Sequence, residues 1–406
     1  INEGYGLNEE YNGSAMLFLN LNNSTVSNNI TDSTGFAGIV CNGSNNVIDR
    51  NLIDHCLLTL NYGGGIYSYT TSSHNNLIEN NFVFNSTGGF KGLASYAAMA
   101  NGIFLYFGCD TVRLINNLTA NCNQYGIVIA ETNKRHVIAG NTSYNNKLAQ
   151  LGIRETWTGN SIHNLSIKNN TLYSLNKIQD PLVLISQSPP FTPILIDSNK
   201  YCNPYNYFSV RQSYTTQGIA DDEMFDLKRW QQTGHDANGF QLPLHLENLN
   251  VIDTTGTDLI ENGNFTNNFN YWHTDPDSNN IFLLDNFTSM DGGCLKVHVD
   301  KSNPIDTCSL ESSNFGITSG QTYQLSFSDS GIVDDFLWSD IKENSGAYNF
   351  TNFTQAYPID TFRRNFKTVF TASENYYPVR LDLSLSRRDS IVWFDNIHLF
   401  PVSATV

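Results

Sequence analysis

From residue 26 onward, an apolar residue followed three positions later by asparagine keeps returning: Val26/Asn29, Ile48/Asn51, Ile78/Asn81, Leu114/Asn117, Ile138/Asn141, Ile167/Asn170 and Ile196/Asn199. By subtraction, the asparagines stand 22, 30, 36, 24, 29 and 29 residues apart. Self-similarity at that period marks a solenoid or a propeller, in which each repeat is one supersecondary unit that buries its apolar face only against its neighbours. The longer intervals hold insertions, such as Ser86 to Asn101.

Two further segments keep step with the asparagine. Gly-Ile opens a short apolar run at Gly38-Ile39, Gly65-Ile66, Gly102-Ile103, Gly126-Ile127 and Gly152-Ile153, and Leu182-Val183-Leu184 takes that place next. After each asparagine comes a third alternating segment, as in Phe82-Val83-Phe84 and Thr171-Leu172-Tyr173. Three short strands per repeat without a helical period describe one coil of a right-handed parallel β-helix over 1–205. A propeller needs about four strands per 40–50 residues and fits less well. The asparagine suits a tight turn, where it tolerates left-handed backbone and bonds along the stack. The repeats are already running by residue 25 of a chain that starts at Ile1, which reads as a cut inside a longer parent.

The ladder stops near residue 250. Over 251–406 come alternating strands such as Leu295/Val297/Val299, Tyr323/Leu325/Phe327 and Leu381/Leu383/Leu385, separated by polar loops, as in a β-sandwich. The expected fold is therefore all-β, with a helix-closing cap and linker over 206–250.

Composition narrows the partners. A hydrophobic share of 40% fills a core, and a formal net charge of −16 argues against nucleic acid and anionic membrane surfaces. No apolar run reaches the roughly 20 residues that span a bilayer. Neutral polysaccharide is the partner that fits. Seven cysteines are too few for a disulfide scaffold. Cys41, Cys56, Cys109 and Cys122 read as core fillers, while Cys294 and Cys308 flank a strand-rich stretch and stand as a possible pair.

The repeat resembles the pectate-lyase-like β-helix superfamily, and more closely its secreted polysaccharide lyase and glycoside hydrolase members. Tyr62-Gly63-Gly64-Gly65-Ile66-Tyr67 resembles their "D-G-G-A-I-Y" rung, with Tyr62 at the acidic position. Leu227 to Asp236 resembles their helix-closing segment, a cap with Trp230 buried. Glu261-Asn262-Gly263-Asn264-Phe265 and Trp393-Phe394-Asp395-Asn396-Ile397 resemble the bracketing motifs of jelly-roll carbohydrate-binding modules. That resemblance implies that the two ends meet and hold a structural Ca²⁺, with Asp395 and Asn264 as the positions carried over.

Alternate side chains on a strand leave the core. If each Ile after Gly points inward, then Tyr67, Phe104, Val128 and Arg154 form one outward column, with Tyr69 and Tyr106 beside it. Tyr67, Tyr69, Phe104 and Tyr106 then make an aromatic patch suited to a glycan, unless the insertion from Ser86 folds over it. In the second domain Trp272, Tyr271 and Trp338 are the candidates for stacking on sugars.

Glycoside hydrolysis needs two carboxyl groups, about 5 Å apart for retention or about 6.5–9.5 Å for inversion. Rungs about 4.8 Å apart bring acids on neighbouring coils to that separation. Glu131 and Glu155 lie near equivalent places on consecutive rungs, with Asp110 near the rung before. A lyase needs a base and a cation beside a uronate carboxylate, and Arg154, Lys134, Arg135 and His136 cluster on this side. His55, after Asp54, reads as structural. Two functions remain open: a secreted polysaccharide-degrading enzyme with a glycan-binding module, or a non-catalytic surface adhesin or fibre that binds glycan, both extracellular or on the cell surface.

Overall fold

The computed structural model describes residues 13–89, 99–156, 162–176, 178–186, 194–204, 208–216, 219–242, 250–274, 280–286, 290–291, 293–299, 308–332, 335–343, 350–372, 374–385 and 390–405. Most of the insertion that follows Ser86, residues 90–98, lies outside them. The chain divides into two units, Ile1–Leu244 and His245–Val406. The one described helix, Leu227–Gln232, is far too short to cross a membrane.

Three parallel sheets build the first unit. Sheet A stacks Met16–Asn22, Ile39–Ser44, Gly63–Tyr69, Ala100–Tyr106, Tyr125–Ala130, Ala149–Arg154, Asp180–Ser186 and Val210–Thr216 in parallel, and Ile219–Phe225 closes it as an antiparallel edge. Sheet B stacks Thr25–Ser27, Val47–Asp49, Leu77–Glu79, Arg113–Ile115, Val137–Ala139, Leu165–Lys168 and Ile194–Asp197. Sheet C stacks Ile30–Asp32, Leu52–Asp54, Phe82–Phe84, Leu118–Ala120, Thr142–Tyr144, Thr171–Tyr173, Lys200–Cys202 and Phe240–Gln241. Each coil gives one strand to each sheet, which is a parallel β-helix. Inside it, Ile39, Ile66, Ile103, Ile127, Leu151 and Leu182 stack in register and are buried.

The asparagines form one continuous column at the B–C corner. The Asn81 side-chain oxygen accepts the Asn51 backbone N–H at 3.0 Å and the Asn51 amide at 2.9 Å, and Asn51 in turn donates to the Val26 carbonyl at 2.9 Å. The pattern repeats through Asn117, Asn141, Asn170 and Asn199, whose amides reach Ile78, Leu114, Ile138 and Ile167. The sequence pairing thus has a mechanical meaning. The apolar residue fills the core, and its carbonyl is taken up by the asparagine of the next coil. Buried amides satisfied on both sides rigidify a stack, and half-satisfied ones cost heavily.

The left-handed residue is not the ladder asparagine, as the sequence reading had it, but the residue before it. Asn28, Arg50, Asn80, Asn116, Gly140, Asn169 and Ser198 all have φ between 53° and 67°. Their turn points the following side chain into the column. The A–B corner has its own left-handed positions, among them Asn23, Asn45, Asn75 and Arg135, as has the C–A corner with Asn85, Asn121 and Asn145. Asparagine tolerates this conformation better than most residues, so the Asn-rich composition serves both the turns and the ladder.

The cap ends the column with a change of chemistry. Asp226 accepts the Arg229 N–H at 2.8 Å and starts the helix Leu227–Gln232. Trp230 is buried against Phe225 and stacks on His235, with ring centroids 4.5 Å apart. The buried Asp236 takes the Asn199 N–H at 3.1 Å, the Asn199 amide at 3.2 Å and the Tyr201 hydroxyl. A carboxylate only accepts, so it closes the ladder without leaving an amide that needs a further coil.

The second unit is an antiparallel sandwich. Sheet D orders Ile281–Asp285, Cys294–Val299, Ser390–Thr405, Thr322–Gly331 and Arg364–Thr371, with Asn250–Thr254 also on Ser390–Thr405. Sheet E orders Trp272–Thr274, Cys308–Ser312, Tyr376–Leu385, Asp335–Glu343 and Phe350–Ile359, with Phe315–Ile317 on Tyr376–Leu385. The two ends of the unit meet. Gly263 accepts the Ile397 N–H at 3.0 Å, and a Cβ on Gly263 would lie 1.8 Å from the Ile397 oxygen, so only glycine fits. The pairing of Cys294 with Cys308 is corrected. Both are buried thiols, Cys294 in sheet D and Cys308 in sheet E.

Replacing Asn117 by Ala strips bonds from the Asn81 amide and N–H, the Ile78 carbonyl and the Asn141 oxygen. It should cost roughly 3 kcal/mol or more in urea unfolding, whereas Asn116→Ala, which pays only for its left-handed backbone, should cost about 1–2 kcal/mol. Equal losses would contradict the ladder's role.

Candidate functional site

The outward face of sheet A is set by register. Tyr67, Phe104, Val128 and Gly152 form one column, and Tyr69, Tyr106, Ala130 and Arg154 the next. Arg154 was expected beside Val128. The correction comes from Leu151, which takes the place of Ile127, so Gly152-Ile153 sits two positions along from Gly126-Ile127. Gly152 is needed for another reason: a Cβ there would lie 2.7 Å from the Tyr125 ring.

The aromatic patch exists, but most of it is closed. Tyr67 and Phe104 are only 2% and 3% exposed. Their rings stack at 5.2 Å, Tyr67 stacks on Tyr69 at 5.3 Å, and Phe36 meets Tyr67 edge-on. Tyr62, the residue at the expected acidic position, packs edge-on over Phe104 and Tyr106. Tyr67 and Phe104 are therefore a satellite core, and only Tyr69 and Tyr106 remain half-buried at its rim. Beside them Tyr62, Asn101, Gln124, Tyr125 and Arg154 line a narrow recess over Phe104 and Val128.

The acids differ in their freedom. Glu131 is buried, and its two oxygens accept the Thr156 N–H at 3.1 and 3.0 Å and the Thr156 hydroxyl. That carboxylate pins the next turn. Asp110 is held by Arg135 and by Lys134 at 3.8 Å; against the upward push of burial, the Thr111 hydroxyl and these cations keep its carboxyl below the usual range. His136 is also structural, bonded to the Val112 N–H and to Asn133, with burial pushing its imidazole down to about 4. Glu155 differs. It is half-buried, and burial together with the charge of Glu131 raises its carboxyl. Of the expected catalytic set, Arg154 and Glu155 keep a surface position, while Glu131 and Asp110 serve the scaffold. His55 lies 3.1 Å from Asp54 and 3.6 Å from Asp32 at the edge of sheet C.

In the second unit, Trp272 is corrected to a core residue: it is buried, and its indole N–H donates to the Asn262 carbonyl at 3.1 Å. Trp338 is half-buried on the outward face of sheet E. Leu337, Ser339 and Ile341 point to the interior, leaving Trp338, Asp340 and Lys342 on the other side. Across the sheet Trp338 pairs with Ser384, which pairs with Ser309. Asp340 pairs with Asp382, then Glu311 and His273. Asp382 binds Lys342, Ser309 at 2.8 Å and Ser384 at 2.6 Å, and Arg380 binds Glu311 at 2.8 Å. Asp340 and Asp382 are buried although they face away from the core, so this face is recessed. These polar partners were missed from sequence, yet the alternation of Arg380, Asp382 and Ser384 with Leu381, Leu383 and Leu385 marks them.

Asp395 and Asn264 fit a calcium ion poorly. Asp395 is buried and accepts the Asn396 N–H at 2.8 Å. The neighbouring Asp291 holds the Arg363 guanidinium at 2.7 and 2.6 Å, so a cation already stands there. Asn264 is exposed and accepts from Thr266.

The strands define an all-β protein of two kinds of unit, a parallel β-helix followed by an antiparallel sandwich. No family model and no curated protein sequence matches the chain. Among solved structures, a mutant of the periplasmic alginate epimerase AlgG covers 46% of this chain and 37% of its own, at 15% identity and TM-score 0.36. The enzymatically active domain of bacteriophage CBA120 tailspike protein 4 covers 93% of this chain, which spans 53% of that domain, at 12% identity and TM-score 0.31. The N-terminal cellulose-binding domain of Cellulomonas fimi β-1,4-glucanase C covers 34% of this chain and 97% of its own, at 16% identity and TM-score 0.26. Likenesses this distant transfer no function.

Asp329 offers a pH test of the sandwich. It is buried, and neither carboxylate oxygen has a hydrogen-bond partner among the described residues. Burial drives its carboxyl well above the usual range, with Arg364 opposing and Asp360 reinforcing. A raised folded value means stability present below the unfolded value of about 3.9 and lost as pH rises through the folded one. Asp329→Asn should therefore melt above the parent at pH 8, with the gap closing near pH 4. Parallel melting curves across that range would contradict it.

Proposed function

We propose that this is an extracellular polysaccharide-binding protein whose sandwich unit holds glycan on the outward face of sheet E. The observation that carries the reading is the half-buried Trp338 on the same outward face as, and one row along from, the recessed carboxylates Asp382 and Glu311, which are paired with Lys342 and Arg380 and flanked by Ser309 and Ser384. An aromatic face suits the C–H face of a pyranose. Charged groups already fixed by their partners accept and donate to hydroxyls with little further ordering. A chain with net charge −16 favours a neutral glycan over a polyanion. The rival on the same face is a purely structural polar row, and binding separates the two. Trp338→Ala should lower retention in affinity electrophoresis against soluble neutral polysaccharides at least tenfold while leaving the melting temperature within a few degrees. Unchanged retention with a panel that binds the parent would remove the site.

A second reading, an enzyme acting on polysaccharide, rests on Arg154 in the recess beside Tyr62 and Tyr125, followed by Glu155 with its raised carboxyl. Glu131 is committed to Thr156, which removes one half of a hydrolytic pair and favours elimination. Arg154 then neutralises a uronate carboxylate and Glu155 takes the adjacent C5 proton; the C4–C5 double bond forms as the glycosidic C4–O bond breaks, and the departing oxygen takes a proton from solvent. If so, Arg154→Ala and Glu155→Gln each abolish the rise in unsaturated-uronate absorbance. Full turnover in both variants would exclude this place. A parent that binds glycan and turns none over leaves the adhesin reading.

A further inference from the structure

The outward face of sheet C is unlike the other surfaces of the β-helix. Its first column begins with Ile30, 74% exposed, continues through half-buried Leu52 to Phe82, 48% exposed, and ends at Phe240, 53% exposed. Beside Phe82 the second column presents Phe84, then Ala120, Tyr144 and Tyr173 on the following coils. The Tyr144 and Tyr173 rings lie 5.4 Å apart, and those of Phe82 and Phe84 6.2 Å. The charges stand at opposite ends. Asp32 and Asp54 are on the first two strands, and Lys200 is on the seventh of eight. Thr142 and Thr171 interrupt the first column, but the rings of Tyr144 and Tyr173 carry the apolar surface past them, and such a face with charges at its ends marks an interaction surface.

We propose that sheet C is the interface between two copies of this chain, joined face to face about a two-fold axis parallel to its strands. A two-fold contact uses the same patch twice and must complement itself. Reversing the order of the eight strands does this. The third strand then faces the sixth, setting Phe84 against the partner's Tyr173. The fourth faces the fifth, where the small Ala120 receives the partner's Tyr144. The second faces the seventh, laying Leu52 on the apolar stem of the partner's Lys200, whose ammonium is directed diagonally at Asp54, two residues along the strand. Ile30 covers the partner's Phe240. The other face-to-face two-fold, along the stack, sets each strand on its own copy, so that Leu52 meets the partner's Asp54 and Lys200 meets Cys202, and no cation meets a carboxylate. The aliphatic members, Ile30, Leu52 and Leu118, favour protein over a sugar chain, which needs aromatic faces and hydroxyl partners.

The area sets the strength. Eight strands about 4.8 Å apart run about 34 Å, and a three-residue strand with its turns is roughly 15 Å wide. Each copy buries about 500 Å², near 1,000 Å² in total, the lower end of specific interfaces, where association is weak and transient. The dimer should therefore form in the micromolar range.

Sedimentation velocity of the full chain from about 1 to 200 µM tests this. The parent should shift toward twice its mass. Phe82→Lys and, independently, Tyr144→Arg should stay monomeric with the parent's circular dichroism and melting temperature, which separates a lost interface from a lost fold. Lys200→Asp or Asp54→Lys alone should weaken the dimer at least fivefold, and the two together should restore it to within about twofold. A parent that is monomeric at 200 µM, or a dimer indifferent to Phe82→Lys, overturns the proposal. So does a swapped pair no tighter than its single changes. Loss of polysaccharide retention in Phe82→Lys without a change in mass would assign the face to sugar and overturn it too.

Discussion

A buried amide must bond on both sides or cost free energy, and the first unit is organised around that condition. Each asparagine of the B–C column gives its amide to a carbonyl of the coil before and to the asparagine of the coil after. The column has a direction and needs an end. Asp236 supplies it as a pure acceptor. The apolar interior alone would tolerate a slipped coil, because one Ile resembles another. The amide column does not, since a slip leaves several buried groups unbonded at once.

That constraint also explains where variation is permitted. The corners are held by left-handed residues and the column, so the segments between them carry changes without disturbing the stack. The coil that holds Arg154 changes its phase on sheet A, with Leu151 where Ile127 stood one coil earlier, while Asn141 and Asn170 keep the column intact. Likewise Tyr62 closes over Phe104 and Tyr106, turning the expected open patch into a roofed one with a recess beside it. Function in such a scaffold is a matter of which side chains the roofs leave exposed.

In the sandwich the corresponding constraint is the meeting of the unit's ends. Gly263 lies against the Ile397 carbonyl, and Asp258 takes the Leu399 N–H at 2.9 Å. These contacts hold the long strand Ser390–Thr405 between its neighbours. The outward face of sheet E can then concentrate charge, because Lys342 and Arg380 neutralise Asp382 and Glu311 one pair at a time. Burial raises the carboxyl of Glu311, with Arg380 opposing, as expected of a row partly withdrawn from water.

The coil period and three strands per coil are legible in the sequence, because each is enforced locally; the stack runs past the expected 1–205, since Val210–Thr216 still pairs on sheet A and Phe240–Gln241 on sheet C. Strand alternation, turn residues and a ladder spacing read directly from residue order. That Trp338 is more exposed than the buried Trp272 also follows from its polar sequence neighbours Asp334 and Asp335. What the order of residues did not reveal is which outward side chains meet. Arg154 falls beside Tyr106 rather than Phe104 because of a two-residue phase change, and Tyr67 is buried because Tyr69, Phe104 and Phe36 converge on it. Glu131 is removed from chemistry by Thr156 of the following coil. Apart from Tyr69, which lies on the same strand as Tyr67, the partners come from other coils, 25 or more residues away. Side-chain direction within a strand is a property of the chain, but exposure is a property of whatever the fold lays on top.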